Sequence, residues 1–248
     1  MRPADALPGT ALSQRLRLAS YNIHKCVGLD GRRRPERIVD VVNALSADIV
    51  ALQEVDRRLG PRPAALPHGI LSEGSDLVPL SVAPDGPSLG WHGQTILVHP
   101  RHLQHGIPAI HRIDLPGLEP RGAIMADIPT EGGWLRVIAV HLGLLRASRI
   151  AQLRVIRARL ARLPHLPTVI LGDFNEWSVR GGMDPLDGTF RIHAPGRSYP
   201  ATQPVARLDR IALGPGLHLQ DAGTLLTPLS RIASDHLPIW ADIRAEHV

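Results

Sequence analysis

The sequence predicts one α/β domain in which sheet packs on sheet and helices lie outside. Three observations carry that prediction. Short apolar runs of strand length recur along most of the chain, and only two segments show a clear helical period. Neither an internal repeat nor a break in composition divides the chain.

LRLASYNIH (16–24) reads as a first strand that ends in polar side chains, and GLDGRRR (28–34) as the loop after it. A helix is predicted over 35–47, since Pro35 suits a first turn and Ile38, Val41, Val42 and Leu45 recur at helical spacing. IVALQEVD (49–56) is a second buried strand that ends on an acid. Residues 57–93 are rich in Pro and Gly and read as loops with short strands at most. Further strands are expected at 94–100, 121–129 and 134–142.

A second helix is expected from Ala147 to Leu163, with Ile150, Leu153, Ile156, Leu160 and Leu163 on one face. Arg154, Arg159 and Arg162 lie off that stripe and read as a solvated face. TVILGDF (168–174), RLDRIAL (207–213), LHLQDAGTLL (217–226) and PIWADIR (238–244) complete the strands. Residues 1–15 read as a loose leader before one domain at 16–248.

With 44% hydrophobic and 21% charged residues the chain has the balance of a soluble globular protein. Its one cysteine, Cys26, excludes an internal disulfide framework and a thiolate-rich metal site, and it reads as a small packed residue. Lys25 is the only lysine among the 28 basic residues. The net charge of +5 suits an anionic substrate. The start lacks a signal-peptide core, no stretch has the length of a membrane span, and a cytoplasmic protein is expected.

The chemistry gathers at strand ends. Asn22 follows LRLASY, Glu54 follows IVALQ, His141 follows LRVIAV, and Asp173 and Asn175 follow TVILG. Asp235 and His236 stand just before the last strand, and Asp209 interrupts the apolar pattern of RLDRIAL. GDFN alone would pass for a turn after a buried strand. Glu54 with Asn22 and Asp235 makes a sparse oxygen set of the kind that suits Mg2+ or Mn2+. Paired with Asp209, His236 would have its tautomer fixed and its pKa raised, although Asp209 could instead pair with Arg210. Asp173 and Asn175 would orient an attacking water. These parts describe metal-assisted hydrolysis of a phosphate ester.

YNIHK, ALQEVD, VHL, LGDFNEW, RLDRIAL and SDHLP, in that order, resemble the motifs of the endonuclease/exonuclease/phosphatase superfamily. The matching segments run from Leu16 to about Ile243. The resemblance implies a four-layered α/β sandwich, two packed and mainly antiparallel sheets flanked by helices, with the site at one open edge. It makes Glu54 the main metal ligand with Asn22 beside it and Asp235 at the metal edge. Asp173 and Asn175 would hold the nucleophilic water or contact the phosphate. His236 would act as base or phosphate clamp, oriented by Asp209. His141 stands where some members have a second histidine, and Arg121 resembles a phosphate-contacting arginine. Gln94 departs from the pattern, replacing an expected Asn. His24 and Lys25 read as structural or peripheral.

The expected substrate is an anionic phosphate ester, either nucleic acid or a lipid headgroup. Nuclease-type phosphodiester hydrolysis is favoured. A phospholipid or inositol-phosphate phosphoesterase is the alternative within the class, and a non-catalytic binding scaffold the alternative outside it.

Overall fold

The computed structural model describes residues 15–57, 60–83, 86–178 and 181–245. Strand β1 (Leu16–Asn22) is flanked by a parallel neighbour, β2 (Ile49–Gln53), and an antiparallel one, β12 (Ile239–Ala245). Strand β11 (Leu217–Thr224) closes one side of this sheet, and β4 (Gln94–Val98) with β3 (Val78–Pro79) closes the other, in the order β11-β12-β1-β2-β4-β3. The second sheet contains β5 (Ala109–Leu115), β6 (Arg121–Thr130), β7 (Gly133–His141), β8 (Thr168–Asp173), β10 (Asp209–Leu213) and β9 (Arg191–His193), in that order. Within it only β7 and β8 pair in parallel, so antiparallel pairing predominates in both sheets.

The period-two alternation of a strand explains the layers. On β1, Leu16 and Leu18 enter an apolar core shared with the second sheet, while Ala19 and Tyr21 point the other way. On β8, Val169 and Leu171 enter the same shared core and Ile170 faces outward. Both faces are buried, which is why these strands read as unbroken apolar runs. The outer face of the first sheet is covered by α1 (Pro35–Ala44), α2 (His68–Gly74) and the short α5 (Ser230–Ala233), through Ile38, Leu71 and Ala233. Helix α4 (Arg146–Leu160) covers the second through Leu153 and Ile156. The result is the expected four-layered sandwich. No helix among the described residues is long and apolar enough to cross a membrane.

The sequence reading differs from the structure at several element ends and in short elements that it did not foresee. The expected helix at 35–47 stops at Ala44, and the expected strand at 49–56 stops at Gln53 because Glu54 turns into the left-handed region (φ 61). Strand β5 went unseen, since it edges its sheet and alternates half-buried or exposed positions with only Ile113 and Leu115 buried. Residues 57–93 hold α2, whose Gly69 and Gly74 mute its helical signal, and α3 (Pro100–Leu103) follows β4.

Away from the end of the second sheet that carries His141 and Asp173, Arg136 is fully buried and grips Asp127 with two nitrogens. Its Nε donates to Oδ1 at 2.6 Å and its Nη2 to Oδ2 at 2.8 Å, while Nη1 donates to Pro164 O at 2.9 Å.

Candidate active site

Strand direction brings the polar strand ends together. The parallel pairs β1/β2 and β7/β8 finish at the same edge, where the antiparallel β4, β6, β10 and β12 begin. Asn22, Gln53, His141 and Asp173 arrive there at strand ends; Gln94, Arg121 and Asp209 stand there at strand starts. Register sharpens this further. His141 and Asp209 both pair across from Asp173. The residues two positions inward on these strands, Ala139, Leu171 and Ile211, all face the shared core. His141, Asp173 and Asp209 therefore point into the gap between the sheets. Leu18 faces the core four residues before Asn22, which puts Asn22 on the inner face of β1.

Asp173 is the hub. Asn22 Nδ2 donates to its Oδ2 at 3.2 Å across the gap, and the Asn175 N–H donates to its Oδ1 at 2.8 Å. His141 Nε2 lies 3.5 Å from Oδ2, and His236 Nε2 lies 3.7 Å from it. On its other side His236 Nδ1 donates to Asp209 Oδ2 at 2.9 Å. Burial pushes the Asp173 carboxyl up, the His236 charge pulls it back and Asp209 raises it again, to about 6. Burial opposes the charge on His236, yet the carboxylates of Asp209 and Asp173 outweigh it and lift the imidazole to about 10. Asp209 pairs with His236 and not with Arg210, whose Nη2 donates to the carbonyls of Glu176 and Ser178.

The supports around the hub come from distant segments. Ser234 Oγ donates to Asn22 O at 2.7 Å and accepts from the His236 N–H at 3.3 Å, which ties the SDH segment to the end of β1. Asn175 adopts φ 50 and its Nδ2 donates to Leu142 O at 2.9 Å. Tyr199 packs against the His236 ring, with centroids 4.9 Å apart, and Trp177 meets Tyr199 edge-on. Gly172 matters for a different reason. It sits at φ 150, and a Cβ there would lie 1.9 Å from Val140 O. Gly172→Ala is expected to cost about 3 kcal/mol and to displace Asp173, read as a lower thermal midpoint and a lower kcat together.

Glu54, Asp235 and Arg121 stand at the same edge on contacts of their own. Glu54 is half-buried and ion-paired with Lys25. Asp235 Oδ1 lies 3.3 Å from Ser234 Oγ, and Arg121 is buried with its Nη2 3.0 Å from Glu119 Oε2. Gln94, buried, donates from Nε2 to Gly122 O and so links β4 to β6 beneath the site. Of the two readings open for Lys25, structural or peripheral, the ion pair supports the structural one, because a left-handed backbone (φ 55) delivers the ammonium to Glu54. Being the only lysine was the one signal it offered. His24 is structural, with Nδ1 3.0 Å from Val27 O. Cys26 is buried and burial pushes its thiol up to about 12, so it is a packed residue and not a nucleophile. The sequence reading also missed Ser234, Tyr199 and Trp177, whose roles depend on partners far along the chain.

Comparison with known proteins agrees with this architecture. Residues 19–236 match the model of the Endonuclease/Exonuclease/phosphatase family. The uncharacterized protein YbhP of Escherichia coli (strain K12) is 31% identical over an alignment that spans 92% of this chain and 95% of YbhP. Among solved structures, Danio rerio TDP2 complexed with a single-strand DNA product has a TM-score of 0.71 at 17% identity, over 94% of this chain and 100% of that one. The mannosyl-6-phosphatase Bt3783 of Bacteroides thetaiotaomicron has a TM-score of 0.70 at 17% identity, over 92% and 99%. Proteins of the family hydrolyse phosphate esters and generally use divalent metals. With the family model spanning most of its length and its two sheets stacked in the family's manner, this chain belongs to the endonuclease/exonuclease/phosphatase family.

Proposed function

We propose that the protein is a divalent-metal-dependent phosphodiesterase in which Asp173 activates water and His236 clamps the phosphate. The observation that carries this reading is the relay Asp209–His236–Asp173 at the mouth between the sheets. A carboxylate with a pKa near 6 is mostly ionised at neutral pH and still basic enough to accept a proton from water in the transition state. Asn22 and the Asn175 N–H hold that carboxylate in place. His236, lifted well above neutrality, is an imidazolium whose charge meets a phosphate oxygen, and Asp209 holds the ring's orientation through Nδ1. The water oxygen attacks phosphorus, its proton passes to Asp173, and the bond to the departing oxygen breaks. His141 stands on the opposite side of Asp173 as donor to the departing oxygen, with Arg121 as a further phosphate contact.

The donors near β1 and β2 are oxygens, namely the Glu54 carboxylate and the Asn22 amide, with Asp235 nearby. Among the described residues no three His, Cys, Asp or Glu side chains gather as a metal cage. A sparse oxygen set fits Mg2+ or Mn2+, which keep waters of their own, and does not fit zinc's nitrogen and sulfur preference. Bound by Glu54, Asn22 and Asp235, the ion would offset charge on the phosphate oxygens. The Lys25 ammonium competes for the same carboxylate. Lys25→Met is therefore expected to tighten Mn2+ binding about tenfold, and Glu54→Gln to weaken it at least as much, both read by calorimetry.

The nuclease-type reading rests on family likeness and net charge. The relatives' names span a DNA complex and a sugar phosphatase, so fold alone leaves the substrate open. A second reading, a phospholipid diester, is favoured by the apolar side chains that stand around the cleft. The test is hydrolysis of bis(p-nitrophenyl) phosphate, DNA, RNA and phospholipid with Mg2+, with Mn2+ and with chelator. Turnover that requires the ion is expected. A folded protein that neither turns over any ester nor binds either ion would sink the reading.

A further inference from the structure

Nine large apolar side chains stand exposed among the described residues. Seven lie on loops at the catalytic edge, Ile232 lies on α5 at the same edge, and Ile107, just ahead of β5, lies at the opposite end. A scattered exposed leucine means nothing, but segregation to one edge marks an interaction surface.

The loops that carry these side chains are tied into a continuous rim. The Leu29 N–H donates to Ile232 O at 3.0 Å. Beside Ile232, Arg231 Nη1 donates to Thr202 O at 3.1 Å, and on that loop the Val205 N–H donates to Tyr199 O at 2.9 Å. Tyr199 meets Trp177, itself 64% exposed, with ring centroids 6.2 Å apart. Glu176, the residue before Trp177, binds Arg149 at 2.6 Å, and Arg149 Nη1 donates to Leu144 O at 2.5 Å. Gln152 then accepts from the Gly143 N–H at 2.8 Å and donates to Pro116 O at 2.8 Å, holding the loop on which Leu118 projects, 89% exposed.

Arginines alternate with the apolar side chains. Arg32, Arg33 and Arg34 are exposed in the loop of Leu29, Arg146 follows Leu145, Arg207 follows the Val205 loop and Arg231 precedes Ile232. Acids on or beside these loops are engaged by arginines, Asp30 by Arg37, Glu119 by Arg121, Glu176 by Arg149 and Asp184 by Arg146 itself.

We propose that this rim docks the mouth of the active site on an anionic phospholipid surface, and that the diester hydrolysed is a lipid headgroup carried by that surface. The substrate half rests on the phosphodiesterase reading above. A nucleic-acid backbone offers Leu118, Leu144 and Leu145 nothing to bury against. A protein clamped on the rim would cover the mouth that substrate must enter. A lipid surface meets both conditions, because apolar side chains enter the acyl boundary while guanidinium groups meet lipid phosphates.

The full chain, Leu118→Ser/Leu144→Ser and Asp209→Asn are sedimented with vesicles of phosphatidylcholine and phosphatidylglycerol, and turnover is followed on the vesicles and on bis(p-nitrophenyl) phosphate. Both leucines are exposed, at 89% and 67%, so the double variant is expected to melt like wild type. It is expected to lose about tenfold in vesicle affinity and in vesicle turnover while keeping turnover of the soluble diester. Asp209→Asn is expected to keep vesicle binding and lose turnover. Vesicle binding that is absent in wild type, or unchanged in the double variant, overturns the docking surface. A loss of single-stranded DNA binding in the double variant overturns it too and assigns the rim to nucleic acid. Intact vesicle binding with no turnover of any diester overturns the phosphodiesterase reading and the substrate half, and leaves the docking surface standing.

Discussion

His236→Ala is expected to lower kcat/KM for a soluble phosphodiester on the order of 10⁴-fold, with the folded protein still present. The size follows from what the ring does in the proposed mechanism. It supplies the positive charge between two buried carboxylates, Asp173 and Asp209, and removing it leaves both without that partner. Asp209→Asn is expected to act in the same direction by a different route. The Asp209 carboxylate accepts from Nδ1 and helps to hold the imidazole charged, and an amide does the second poorly. The pH profile gives an independent check. With the Asp173 pKa raised to about 6, the base is lost as pH falls through 6, so wild-type turnover is expected to drop below that point. The stability sign is opposite: a carboxyl whose pKa is raised on folding costs stability once pH exceeds its unfolded value. The ionisation that turnover requires therefore weakens the fold. Parallel measurements of kcat/KM and of unfolding in chelator from pH 4 to pH 8 check both signs.

Asp127→Ala is expected to destabilise the protein by about 3–5 kcal/mol and to leave kcat unchanged. Arg136 and Asp127 are both buried, and the guanidinium makes two hydrogen bonds to that one carboxylate. Removing the carboxylate strands a charge in the sheet and leaves only the Pro164 carbonyl to meet it. The double variant Asp127→Val/Arg136→Met is expected to recover most of the loss, because an apolar pair of similar bulk strands no charge. Denaturant unfolding measures the effect. The pair lies toward the end of its sheet remote from His141 and Asp173, so a fall in kcat as large as the fall in stability would contradict the assignment of the active site to the opposite edge.

Several features were legible along the chain because they are local. Pro35 and the spacing of Ile38, Val41 and Val42 forecast α1, and those three side chains are buried as the spacing requires. The period of two along TVILGD puts Asp173 on the same face as Val169 and Leu171, so a buried carboxylate was written into the strand itself. The family motifs name candidate residues in order along the chain, and the fold brings Asn22, His141, Asp173, Asp209 and His236 together at one edge. Strand β5 was hidden because an edge strand needs to bury only one face, and its exposed polar residues erase the apolar run.

Tertiary structure alone decided the rest. Asn22 and Asp173 are 151 residues apart in sequence and meet only because the two sheets stack. Asp209 had Arg210 beside it and a histidine 27 residues away, and strand alternation gave it the histidine by turning the two neighbours to opposite faces. Lys25 became part of the site through a left-handed backbone that no pattern of side chains announces. The rim of exposed apolar groups is likewise invisible until side chains from segments far apart in the chain share an edge. Periodicity is a property of one strand and is readable from that strand, whereas the partner a strand end meets is settled by the packing of whole sheets.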